Sequence, residues 1–148
     1  MIYLGADHAG FNLKEKLKKD FIKNKIKFFD LGNDKMDKED DYPDYAFSVA
    51  NKVSQSKKDF GILLCANAIG VSIAANKVKN VRAGIGYSAY AAKSGREDDH
   101  LNILCLPAKV LKEQEAFKII KTWLKATPSK ATRHLRRLKK IADFEDKK

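Results

Sequence analysis

Phe60-Gly61-Ile62-Leu63-Leu64-Cys65-Ala66-Asn67-Ala68-Ile69-Gly70 is the stretch that decides the fold. Its first six residues form a continuous apolar run of strand length. Such a run suits a parallel strand covered on both faces. The polar and small residues after it read as a turn, and residues 70–76 read as a helix entered from that turn. Working outward, the same unit recurs. Residues 2–6, 26–31, 81–86 and 102–106 are strand-like. Residues 10–24 place Leu13, Leu17 and Phe21 at spacings of four, an amphipathic helix. Helical stripes also run over 43–55, 88–96 and 110–125; Pro128 breaks the chain, and a last helix covers 129–145. Repeated strand–helix units imply a parallel sheet with helices on both faces. The expectation is one doubly wound α/β domain over residues 1–148, with five parallel strands in a three-layer α/β/α arrangement.

Composition narrows the function classes. Hydrophobic residues make up 44 % of the 148, enough for a core, and charged residues 33 %. No apolar stretch approaches the ~20 residues that span a bilayer, so no membrane partner is expected. The chain enters a strand at Ile2, so no signal peptide is expected. Cys65 and Cys105 lie in separate apolar runs, which favours a reducing, cytoplasmic compartment over a disulfide framework. The net charge is +11, yet most lysines are scattered singly along helices. The tail is the exception: residues 129–148 hold eight Lys or Arg against three acids. A nucleic-acid surface would interleave aromatics with the cations, and the tail offers only Phe144, so no nucleic-acid partner is expected.

In open α/β sheets ligands bind beyond the carboxyl ends of the strands. The residues there include Asp7 and His8, then Cys65 to Gly70, then Lys109, with Asp98, Asp99 and His100 near the fifth strand. Cys65 would face the start of a helix, where a thiolate is favoured and can act as a base or nucleophile; the plain alternative is a small buried hydrophobe. Asp7 can cap the following helix. Arg133 and Arg137 are four apart and project from one helix face, spaced to grip one phosphate. The histidines and cysteines are too dispersed for a metal site, and no nucleotide-binding glycine motif is present. Neither metal nor cofactor is expected.

Together these pieces resemble the type B ribose-5-phosphate isomerase and galactose-6-phosphate isomerase family. The matching segments are Gly5–Gly10, Asp41–Ala46, Gly61–Cys65, Gly70–Lys77, Asn102–Leu104 and Arg133–Arg137, in the family's order over nearly the whole chain. The resemblance implies a Rossmann-like fold, a homodimer or homotetramer, and metal-free aldose–ketose isomerisation of a sugar phosphate, with ribose 5-phosphate as the default substrate. It implies Cys65 as the base, moving a proton through a cis-enediolate. It implies an oxyanion held by the loop of Ala66, Asn67, Ala68, Ile69 and Gly70, and sugar contacts from Asp7, His8 and Tyr42. Lys109 stands for a phosphate arginine. Arg133 and Arg137 match phosphate arginines supplied by the partner subunit, so the C-terminal helix is expected to reach that subunit.

The chain departs from the pattern twice. Ala66-Asn67-Ala68 replaces a glycine-rich loop, although the Asn67 amide can still donate to an enediolate oxygen. Asp98-Asp99-His100 replaces His-Asn-Asp. Ring opening then falls to Asp98, or to His100, or is bypassed with open-chain sugar. Those departures keep open a catalytically altered sugar-phosphate binder, or one subunit of a galactose-6-phosphate-type isomerase.

Overall fold

The computed structural model describes residues 1–147. Its elements in chain order are β1 (Ile2–Ala6), α1 (His8–Lys23), β2 (Phe28–Asp30), α2 (Tyr42–Ser54), β3 (Phe60–Cys65), α3 (Ile69–Ala75), β4 (Ala83–Ile85), α4 (Ala89–Asp98), β5 (Ile103–Pro107), α5 (Glu113–Lys125) and α6 (Thr132–Glu145). The five strands pair in parallel in the order β2-β1-β3-β5-β4. The expected doubly wound, three-layer α/β/α fold is present.

Alternate residues of β3 explain the unbroken apolar run. Ile62 and Leu64 enter one core with Leu13, Leu17 and Phe21 of α1 and Ile119, Ile120 and Trp123 of α5. Leu63 and Cys65 enter the other with Val49 and Val53 of α2 and Val71 of α3. Both faces are dry, so both must be apolar. Gly10 lets α1 lie against β3: a Cβ there would stand 2.4 Å from the Leu64 carbonyl oxygen.

Some expected site motifs hold the frame. Asn76 reaches β4 from the end of α3: its Nδ2 donates to the Ala83 carbonyl and its Oδ1 accepts the Ala83 amide, both at 2.9 Å. Asn102 Oδ1 accepts the Arg82 amide at 2.8 Å. Lys14 is fully buried; its Nζ donates to Asp30, to Glu15 at 2.9 Å and to the Asn33 carbonyl at 3.2 Å. This tether joins α1 to the end of β2 and to the loop that follows. Burial of an ammonium requires such partners.

Helix α6 runs along the rim where the strands begin. The Asn80 amide donates to Glu145 at 2.9 Å, and Lys79 pairs with Asp146 at 2.6 Å. Its one buried residue among those described is His134, and Leu135 and Ile141 are exposed. No helix among the described residues is long and apolar enough to cross a membrane.

Candidate active site

In the strand order, β1 is followed by β2 on one side and by β3 on the other, so the crevice between the ends of β1 and β3 is the topological switch point where this class of sheet binds ligands. Asp7 follows β1 and Cys65 ends β3. Their segments are joined by the Asp7 amide, which donates to the Leu64 carbonyl at 3.4 Å.

Asp7 is the N-cap of α1, its Oδ1 accepting the Gly10 amide at 3.0 Å. Burial raises its carboxyl above the usual carboxylate range, and the capping bond opposes that shift. His8 follows, with its ring partly in solvent. Its Nδ1 lies 2.7 Å from Asp40 Oδ1, which also accepts the His8 amide at 3.1 Å. Asp40 Oδ2 accepts from Asn33 at 3.2 Å, and the Asp40 side chain is only 4 % exposed. The hydrogen bond that His8 Nδ1–H donates to Asp40 raises the imidazole above its ordinary value, so the cation persists to higher pH, with no acceptor for its Nε2–H among the described residues. Lys109 adds charge close by: it opposes protonation of His8, and its amide donates to the Ala66 carbonyl at 3.1 Å.

Cys65 is 5 % exposed. The turn after it is built on Ala68, whose φ of 65° is left-handed. An alanine there is strained where glycine is not. Asn67 Oδ1 accepts the Ile69 amide at 3.1 Å. That occupies one backbone donor expected for an oxyanion and leaves the Asn67 amide NH₂ free. The backbone N–H groups of Asn67, Ala68 and Gly70 have no acceptor among the described residues. Tyr42 closes this side, with its ring against Gly70, where a Cβ would stand 2.7 Å from the ring. The rim thus gathers an acid, a thiol, unspent N–H donors and two cationic side chains. That set can move a proton next to a developing oxyanion and hold a phosphate.

Asp98, Asp99 and His100 are not on this rim, and the expectation that they converge with Cys65 is corrected. Cys65 aligns with Pro107 at the end of β5, whereas these three precede Ile103 at its start. Residues before and after one parallel strand lie at opposite ends of it, here roughly 13 Å apart along the strand. Asp98 Oδ1 lies 3.3 Å from His134 Nδ1. His100 Nε2 bonds the Ser129 carbonyl at 2.9 Å, which ties the ring down. Asp99 caps the end of α4. Arg133, whose Nε donates to His134 Nε2 at 2.9 Å, and Arg137 belong to this second rim, on α6. A single chain therefore divides the expected residues into two groups. Sequence reasoning missed Asp40, which lies in a polar loop 32 residues from the histidine it orients; nothing in its local pattern sets it apart.

Among the described residues no cluster of side chains is suited to hold a metal ion. The Ribose/Galactose Isomerase family matches residues 2–141. The chain is 41 % identical over 145 residues to the probable ribose-5-phosphate isomerase B of Mycoplasma genitalium, covering 97 % of this chain and 95 % of that one. It is 38 % identical to the putative sugar phosphate isomerase YwlF of Bacillus subtilis, covering 99 % and 97 %. Among solved structures, the Mycoplasma genitalium ribose-5-phosphate isomerase B with bound ribulose-5-phosphate superposes with a TM-score of 0.93 at 38 % identity, over 99 % of this chain and 97 % of that one. With the fold, the order of motifs and nearly the full length in agreement, this chain belongs to the Ribose/Galactose Isomerase family and is a sugar-phosphate aldose–ketose isomerase.

Proposed function

We propose that the protein interconverts ribose 5-phosphate and ribulose 5-phosphate, with Cys65 as the base. The Cys65 thiolate takes the proton from C2 of the open-chain aldose. The electron pair forms the C1–C2 double bond of a cis-enediolate, and charge moves onto the C1 oxygen. The unspent N–H groups of Asn67, Ala68 and Gly70, with the Asn67 side-chain amide, stabilise that charge. The thiol then returns the proton to C1 while the C2 hydroxyl proton passes to the C1 oxygen, leaving the ketone at C2. Asp7 and Tyr42 contact the sugar.

The phosphate lies between His8 and Lys109 of one protomer and Arg133 and Arg137 of a second copy. Asp98 of that copy takes the anomeric proton when the ring opens. Two features support a shared site: the expected residues fall on opposite rims of one chain, and α6 leaves apolar side chains exposed. The observation that carries the whole reading is Cys65 at the end of β3, in the switch-point crevice, followed by three amides with no acceptor.

The test is proton NMR of ribose 5-phosphate in deuterium oxide, with wild type beside Cys65→Ala. Exchange at C2 that vanishes in the variant supports the reading. Exchange that survives in the variant removes Cys65 as the base. No exchange in wild type, with exchange on galactose 6-phosphate, moves the substrate to a hexose phosphate.

A further inference from the structure

The rim where the strands begin contains a cavity of about 440 Å³ that the proposed reaction does not use. Ser56, Lys57, Arg82, Arg96, His100 and Asn102 are among its lining, and no Asp or Glu lines it. It lies below β4 and β5, at the end of the sheet opposite Cys65.

The two arginines are held in fixed planes. Arg82 Nε donates to the His100 carbonyl at 3.2 Å, and one terminal nitrogen of Arg96 donates to the Leu101 carbonyl at 3.0 Å. The Arg96 guanidinium also lies over the Phe60 ring, 4.7 Å from its centroid. A guanidinium carries five N–H donors, and each of these spends one on the protein. Neither forms an ion pair among the described residues. Both are partly buried, and burial lowers each below the ordinary arginine value; Glu145, outside the cavity lining, opposes that shift for Arg82, and the charge of Arg82 lowers Arg96 further. Two like charges are thus held near each other with water partly removed and no carboxylate in contact. The exposed Lys57 adds a third cation. Ser56 Oγ accepts the Lys58 amide at 3.2 Å, which leaves its hydroxyl hydrogen free to donate.

We propose that this cavity is a second anion site, built for a small phosphate-bearing dianion held in the forks of Arg82 and Arg96. The planar forks match two oxygens of one phosphate each, and the anion supplies a counter-charge inside a cavity that no described carboxylate lines. The site is independent of the reading of Cys65, and loss of the isomerase reaction would not touch it.

The test follows the arginine Nε–Hε signals of Arg82 and Arg96 by NMR, assigned with Arg82→Lys and Arg96→Lys. Inorganic phosphate and then glycerol 3-phosphate are titrated at constant ionic strength, using full-length protein carrying Arg133→Gln and Arg137→Gln to silence α6. Both signals are expected to shift saturably, with a dissociation constant of about 1 mM or tighter. Lys57→Glu, an exposed change that the fold tolerates, should weaken binding at least about tenfold by placing an acid in the cavity, with isomerase turnover of the otherwise wild-type protein unchanged. Tighter binding of the ester assigns an organic phosphate, and equal binding assigns phosphate itself. Signals that do not move up to about 20 mM, that move equally with chloride, or that are indifferent to Lys57→Glu overturn the proposal.

Discussion

At the rim where the strands end, His8 faces a buried carboxylate, Asp40, 2.7 Å away; at the rim where they begin, Arg82 and Arg96 face backbone carbonyls and no carboxylate. At the first rim the chain pairs His8 with its own counter-ion and leaves the far side of the ring facing outward. At the second, Arg82 and Arg96 form no ion pair among the described residues. A paired cation is tuned and oriented by the chain itself, whereas the unpaired arginines are the cluster for which an external anion is proposed above. The cysteines differ along the same axis. Cys65 ends its strand beside free amides, while Cys105, inside β5, is fully buried, and burial pushes its thiol well up.

The sharpest way to break this comparison is to remove each thiol in turn. Cys65→Ala should lower kcat for ribose 5-phosphate by at least ~10²-fold, the least expected from losing a proton-transfer group. Cys105→Ala should leave kcat nearly unchanged and cost about 1 kcal/mol in a urea titration, because only a small buried group is lost. Similar kinetic losses in both would mean that position on the rim does not confer the role.

A mixing experiment tests whether the two rims meet between copies. Cys65→Ala and Arg133→Gln proteins, each weakened alone, should regain activity when unfolded together and refolded. Random pairing leaves about a quarter of all sites with both residues intact. No recovery would return Arg133 to the service of its own protomer.

Asp40→Asn addresses the pairing of His8. Asp40 raises the His8 pKa, so the cation, and the stability the pair contributes, is fully present below ~6.5 and is lost as pH rises through the higher folded value. In the Asp40→Asn protein the rise of KM with pH should begin nearer ~6.5, with kcat changed much less. A KM–pH profile that does not move would show that the pair serves only the loop.

The smallest effect is expected at Ala68→Gly. Release of a left-handed alanine is worth ~1–2 kcal/mol, but glycine adds unfolded-state freedom and removes a buried methyl, each about 0.5–1 kcal/mol. These offset, so stability by thermal melt should move by less than about 1 kcal/mol while activity persists. A large loss of activity would mean that the methyl shapes the oxyanion loop.

Much of the fold was legible because a sheet buried on both faces writes itself as unbroken apolar runs: 2–6, 60–65 and 102–106 stand out against the amphipathic helices between them. The segment 26–31 contributes only Phe28–Asp30 to the sheet, since an edge strand needs fewer partners. The Cys65 loop was legible because it directly follows a strand. Asp98 to His100 were misassigned to that rim because closeness to a strand in sequence does not say which end is near. Asp40 was invisible because its partner is 32 residues away and its neighbours are ordinary loop acids. The Arg82–Arg96 cavity was equally hidden: it exists only where α2, β4, α4 and β5 come together.

The sealed amine of Lys14 has a practical consequence. Most lysines here project into solvent and will acylate readily, whereas Lys14 has no exposed surface and its amine is occupied by Asp30, Glu15 and the Asn33 carbonyl. A reagent reaches it only when α1 parts from the end of β2. Labelling of Lys14, followed by mass spectrometry, is therefore a clock for the opening of this half of the sheet, and the surface lysines provide the internal standard.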